Sequence, residues 1–386
     1  MTDSAVDLAS HPLTNWTGPQ GLPAFERLSE EDFAAVIEAA LDAHSAEIDR
    51  IAANPATPDI ENTLAALELA GKPLSRASAI FWVRAGAHTS DTIQALERRL
   101  SPLMARHFSA IHMNEALFAR IDSLYRDREK LGLDPETDRV LEKTWKRFVK
   151  AGAQLGADDK KRLAAINEEL AGLGTQFGQN VLADEKEWAL FLDDADLDGL
   201  PEFLRDSMAE AASSRGQEGR FAITLSRSIY EPFMAFSTRA DLREQAFRGF
   251  TGRGRMGGAS DNAGIVARTL KLRAEKARLL GYETYAELKL EDTMAKTPDA
   301  VMDLLEPVWE KAVARVEADA VEMRSIAAEE GSNREIEAWD WRHYAEKLRL
   351  RKHDFDEAQL KPYLQLDNVI AASFDVANRL FGLSFE

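Results

Sequence analysis

"RADLREQAFRGFTGRGRMGG", residues 239–258, decides between two folds. Gly252, Gly254 and Gly257 have the G-x-G-x-x-G spacing of a dinucleotide-binding loop. Such a loop needs a strand leading into the glycines and a helix beginning on them, because the pyrophosphate sits at that helix N-terminus. Here Leu242, Ala246 and Phe250 share one stripe of a helix before the glycines, and the next helix is predicted only from about Asp261. The stretch reads as a connection between two helices, and the chain as helical rather than a nucleotide-binding α/β fold.

The helical period continues in both directions. Ser29 is expected to open the first long helix, with acidic residues in a first turn where the macrodipole favours them. Asn54-Pro55 and Thr57-Pro58-Asp59 close it and start a second, which Pro73 is expected to end or kink. Further helices are predicted at about 90–112, 114–131, 136–152, 157–183, 199–215, 239–250, 261–281, 282–292, 298–330, 341–352 and 365–381. Asp134-Pro135 reads as a cap and first-turn proline, and Asp158 as a cap. Two segments break the period: "EWALFLDD" (187–194) and "RFAITLSRSI" (220–229) are richer in aromatic and β-branched residues. They are predicted to pair in one small sheet. The expected fold is mainly α, a multi-helix body with a small β insertion.

Composition narrows the function classes. The 386 residues, 45% hydrophobic and 30% charged, suit a soluble globular protein of two or three domains. Acidic residues outnumber basic ones 66 to 48, giving −18 with no run of five Lys/Arg, which argues against nucleic-acid and anionic-membrane partners. With no Cys, disulfides and thiolate zinc sites are excluded. No apolar run reaches the length of a membrane span, and "MTDSAVDLASHPL" lacks signal-peptide features, so a cytoplasmic location is expected.

Local motifs yield no catalytic centre. Asp194-x-Asp196-x-Asp198-Gly199 begins like a calcium loop, but Arg205 stands where the bidentate Glu belongs, so an acidic helix start is expected with Pro201 in its first turn. The seven histidines (His11, His44, His88, His107, His112, His343 and His353) include no i, i+4 pair and hence no His-Glu-x-x-His helix. All seven read as surface or packing residues. There is no Gly-x-Ser-x-Gly, and paired carboxylates read as solvated faces. Trp339 and Trp341 are expected to pack while Asp340 between them caps the following helix. No catalytic, cofactor-binding or metal-ligating residue is assigned, and on these grounds alone a binding or scaffold module is the default.

Longer stretches carry a resemblance. "IAANPATPDIENTLAALELAGKPLSRAS" (51–78), "RFVKAGAQL" (147–155), "LRAEKARLLGYETYAELKLEDTMAKTP" (272–298) and "WDWRHYAEKLRLRKHDFDEAQLKPYLQLDNVI" (339–370) resemble the thimet-oligopeptidase family of zinc peptidases, and within it the bacterial peptidyl-dipeptidases or dipeptidyl carboxypeptidases. The resemblance runs in order from about Leu13 to the end, and "LFGLSFE" is similar to a point a little over halfway along a family member. It implies two helical halves flanking a deep, narrow cleft, with this chain supplying one side. Residues 1–225 would form an N-terminal helical region with the start of the sheet, and 226–386 the first portion of the peptidase domain, ending before the zinc helix. It further implies release of C-terminal dipeptides from short unfolded peptides, with zinc in the complete enzyme and none bound here. A metal-free helical module that binds peptides or proteins stays open as the alternative.

One prediction follows from the glycine loop. Titration calorimetry with NAD or ATP is expected to show no binding; micromolar binding abolished by Gly254→Val would restore the nucleotide reading.

Overall fold

The computed structural model describes residues 6–353 and 363–385. The chain forms two compact units, one built from residues up to Ala183 with Gly257–Met302, the other from Asp184–Met256 with residues from Asp303 onward. Residues 354–362, within the resemblance segment 339–370, lie outside the described residues.

The first unit starts with α1 (Asp32–Ala52); Ser29 turns the chain before it, accepting the Glu31 N–H. A wide π-turn over Ile60–Ala65, capped reciprocally by Asp59 and Asn62, runs into the short α2 (Ala66–Leu69). The chain then breaks at Ala70-Gly71 and restarts as α3 (Lys72–Ala87). Pro73 therefore falls in a first turn, where its missing N–H costs nothing. Next come α4 (Asp91–His112), α5 (Glu115–Asp127), α6 (Pro135–Lys150) and α7 (Ala157–Glu187). Ser90, Asn114 and Asp134 cap three of these by accepting N–H groups of the first turn. Asp158 lies inside the first turn of α7 rather than capping it. Phe33, Ile37 and Leu41 of α1 meet Leu74, Ile80 and Phe81 of α3 and Ile93 and Leu100 of α4 in the largest core of this unit.

The second unit holds the sheet. Strand β1 (Ala189–Leu192) pairs antiparallel with β2 (Phe221–Thr224), Ala189 facing Thr224, and α8 (Glu202–Ser213) lies between them in sequence. Pro201 occupies the cap position of α8, one residue before its expected place, while the Asp198 carboxylate accepts the Thr238 hydroxyl at 2.7 Å. The second strand is shorter than the pattern suggests, because α9 (Arg227–Phe236) begins within the stretch 220–229. Its stripe of Ile229, Tyr230, Phe233 and Met234 packs against Leu204 and Met208 of α8. α10 (Ala240–Gly252) follows and ends in the glycine loop, a helix-to-helix connection.

Two glycines of this stretch answer to a local constraint. A side chain on Gly249 would place Cβ 2.5 Å from the Trp188 indole, so the bare backbone lets the ring pack on the helix. Gly254 adopts φ 72° and donates its N–H to the buried Asp184 carboxylate at 2.7 Å. An acidic group therefore stands where a phosphate would have to sit.

The chain returns to the first unit with α11 (Ala263–Leu279) and α12 (Tyr285–Leu290). It then forms α13 (Pro298–Glu329), α14 (Trp341–His353) and α15 (Leu366–Phe381). Asp340 does not cap α14 with its side chain. Its carboxylate instead receives the Arg243 guanidinium of α10 at 2.5 Å and Arg334 at 2.7 Å, with Arg243 and Asp340 only 1% and 0% exposed. Arg243 also donates to the carbonyls of Ser237 at 2.6 Å and Trp339 at 3.3 Å. Trp339 and Trp341 are both half-buried, Trp339 beside Phe247 and Trp341 beside the Met323–Tyr344 cluster.

Removing one partner of a buried pair leaves a charge without compensation, at about 3–5 kcal/mol, against about 0–1 kcal/mol for a typical exposed pair. Asp340→Ala is expected to lower stability by about 3–5 kcal/mol in urea unfolding followed by tryptophan fluorescence. Arg243→Met with Asp340→Leu should cost less than Asp340→Ala alone; equal losses would mean packing rather than charge dominates.

Candidate functional site

In the first unit α7 and α11 are laced by two bidentate ion pairs, Arg162 on Glu275 (2.5 and 2.7 Å) and Arg268 on Glu169 (2.5 and 2.7 Å). The buried Asn262 side chain, just before α11, donates to the Phe177 carbonyl at 3.1 Å and accepts from Asn180 at 2.9 Å. Between the helices lies a cavity of about 510 Å³. Leu170, Phe177, Val266 and Leu270 line one part of it, and Asn167, Arg273, Lys276 and Tyr285 another. The apolar wall is open to solvent, with Phe177 42% and Leu270 59% exposed. A pocket of this size, apolar with a few converging polar groups, fits the usual form of a small-ligand site.

The polar part is cationic. Arg273 and Lys276 stand three apart on α11, hence on one face. Arg273 lies over the Tyr285 ring, 5.2 Å from its centroid. The Lys276 ammonium donates to the Asn167 side-chain oxygen at 2.7 Å, and burial, with Lys289 nearby, pushes its pKa below the ordinary lysine value. Lys276 also borders two adjoining cavities, of about 480 and 320 Å³, where Arg147 and Lys289 are found. Acidic neighbours are already engaged: Asp292 holds Lys143 at 2.6 Å, and Glu291 holds Lys150 at 3.2 Å and the Tyr282 hydroxyl at 2.5 Å. Among the described residues, Arg147, Arg273, Lys276 and Lys289 have no carboxylate within ion-pair distance. In a chain of net charge −18, that leaves a local cationic surface able to receive an anion.

None of these four cations was singled out by the sequence. Their places on α6, α11 and α12 are visible, but lack of a partner is a tertiary property. The histidines show the same limit. His44 of α1 and His107 of α4, 63 positions apart, meet with Nδ1 and Nε2 3.0 Å from each other. Burial, then the facing His44, pushes His107 down to about 4, with Asp42 opposing; burial lowers His44 too, with Glu47 opposing. One ring must donate and the other accept, so two charged rings cannot share this contact. His112 Nδ1–H donates to the Phe108 carbonyl at 2.7 Å and His343 Nδ1–H to the Ala235 carbonyl at 2.9 Å. Among the described residues no group of three or more His, Asp or Glu is placed to hold a metal ion, whereas a catalytic zinc takes about three protein ligands. Two of the three aspartates of "DADLDG" are spent on structure, Asp196 on Arg239 at 2.7 Å and Asp198 on Thr238.

Comparison with known proteins converges on one family. The profile of peptidase family M3 matches residues 233–386. The chain is 38% identical to a dipeptidyl carboxypeptidase of Salmonella typhimurium over 98% of its length and 56% of that protein. It is 36% identical to the dipeptidyl carboxypeptidase of Escherichia coli over 97% of its length and 55% of that protein. With oligopeptidase A of Salmonella typhimurium it shares 27% identity over 94% of its length and 54% of that protein. The chain thus spans about half the length of the curated relatives it matches.

The histidine pair generates a pH prediction. Between pH 6.5 and about 4 the unfolded His107 binds a proton that the folded one refuses, so stability is full above this window and falls with pH inside it. The melting temperature is expected to drop between pH 7 and pH 5, and to drop less in His107→Phe. An identical drop in both proteins would show that His107 carries none of it.

Proposed function

This chain belongs to peptidase family M3, and from that membership we propose that it is the amino-terminal part of a zinc metallopeptidase that releases C-terminal dipeptides from short peptides. The observation that carries the reading is similarity along 98% of this chain to a dipeptidyl carboxypeptidase of which it spans 56%. On this reading the zinc ligands belong to the remainder of a longer protein. Residues 226–386 would then be the opening portion of its peptidase domain, a division supported by the family match from residue 233. No helix among the described residues is long and apolar enough to cross a membrane, and a cytoplasmic site of action suits a peptidase of short peptides.

Exposed apolar stripes support the same reading. On α13 Leu305, Val308 and Trp309 face solvent, Trp309 at 71% exposure, and on α15 so do Ile370, Phe374 and Phe381. Val308 and Trp309 stand three and four residues after Leu305, and Phe374 and Phe381 four and eleven after Ile370, so each set lies along one helical face. Apolar faces of this extent on a soluble protein mark surfaces that something covers, and the remainder of a longer protein would cover them.

The test is biochemical. The 386-residue chain is purified, its zinc measured by elemental analysis, and a blocked peptide assayed with and without added zinc. No stoichiometric zinc and no hydrolysis are expected, with chelator-sensitive hydrolysis appearing in the protein of full relative length. Cleavage by the 386-residue chain alone would overturn the reading. A longer reading frame without His-Glu-x-x-His would favour the metal-free binding module instead.

A further inference from the structure

We propose that the cationic part of the groove between α7 and α11 binds the free C-terminal carboxylate of a short peptide, whose last apolar side chain lies against Leu170, Phe177 and Leu270. The peptide identity of the ligand rests on the peptidase reading; the anion preference rests on the groove alone.

The charges come first. Lys276 has three N–H donors and uses one on Asn167, which leaves two facing a part-buried space. A desolvated ammonium without a counter-ion is costly, and an incoming carboxylate removes that cost. Arg273 supplies a planar fork matched to two carboxylate oxygens, and its position over the Tyr285 ring restricts that fork before any ligand arrives. Tyr285 lines the same space, and its hydroxyl makes no hydrogen bond among the described residues. Two cations and a hydroxyl suffice for one carboxylate.

The wall chooses among anions. A purely ionic ligand such as phosphate gains nothing from Leu170, Phe177 and Leu270, whereas burying one large apolar side chain contributes about 1.5–3 kcal/mol. A polyanion would meet the field of a chain with net charge −18. An amphiphile with a single terminal negative charge satisfies both parts, and a peptide ending in a bulky apolar residue is such a molecule.

The probes are N-acetyl-Ala-Ala-Phe as the free acid, the same peptide as its C-terminal amide, and inorganic phosphate, each titrated into the 386-residue chain at low salt by calorimetry. The acid is expected to bind at least about tenfold more tightly than the amide or phosphate, a gap of about 1.4 kcal/mol. Lys276→Met and Arg273→Gln should each remove most of that preference, while Lys276→Arg keeps part of it. Circular dichroism melts establish that the variants fold. Equal binding of acid and amide, no binding of either, full displacement by equimolar phosphate, or unchanged preference in folded Lys276→Met would each overturn the proposal. The two readings fail separately: hydrolysis by the longer protein with acid preference surviving Lys276→Met defeats only the groove, and acid-selective binding with no zinc helix in the longer frame defeats only the peptidase.

Discussion

The second unit is organised by one guanidinium. Arg243 joins three elements: the end of α9 through the Ser237 carbonyl, its own helix α10, and the turn before α14 through Trp339 and Asp340, the last 97 positions away. The last carbonyls of a helix lack intrahelical partners and carry partial negative charge, so a cation at the end of α9 serves as cap and as counter-charge. The same carboxylate that neutralises Arg243 also anchors Arg334 and accepts the Glu337 N–H at 3.3 Å. Burial makes this arrangement exacting, because every donor and acceptor must be met in one geometry. With that geometry set, α14 lies on α9, His343 reaches the Ala235 carbonyl, and Trp339 closes over Phe247.

The first unit solves a different problem. α7 and α11 carry many like-placed charges, and two bidentate Arg–Glu pairs with the Asn262 contacts hold them without filling the space between. Exposed ion pairs add little stability singly, but bidentate geometry fixes orientation. The result is a walled cavity, with apolar side chains left open and lysine and arginine left uncompensated. Packing for stability alone would close such a space.

Most helices were legible because their apolar spacing is strong; α4, α6, α7 and α13 lie within a few residues of expectation. Prolines inside α4 and α13, Pro102 and Pro307, did not interrupt that signal. α9 was hidden by the neighbouring strand: Phe221 to Leu225 is apolar and β-branched and Ile229 follows it closely, and Pro232 discourages a helix reading, yet Ile229, Tyr230, Phe233 and Met234 already had helical spacing. The side-chain role of Asp340 was misread because a cap position and an ion-pair position share one residue type, and the buried partner, Arg243, is far off in sequence. The groove and the His44–His107 contact were not legible, since both depend on which helices become neighbours. The family resemblance, by contrast, needed only ordered local stretches.

The two units are interleaved along the chain, which passes from one to the other near Ala183, Met256 and Met302. A growing polypeptide therefore cannot finish the first unit when its opening 183 residues have been made; α11 and α12 arrive only after the whole sheet region has been synthesised. Until then the faces of α7 that later meet Arg268 and Glu275 have no partner. Assembly is thus ordered by synthesis, and contacts such as Arg162 with Glu275, 113 positions apart, close late and at a high loop-closure cost. For the same reason no single proteolytic cut releases either unit intact, and a hydrolysed bond in the glycine loop would sever one crossing while leaving both units joined by the other two.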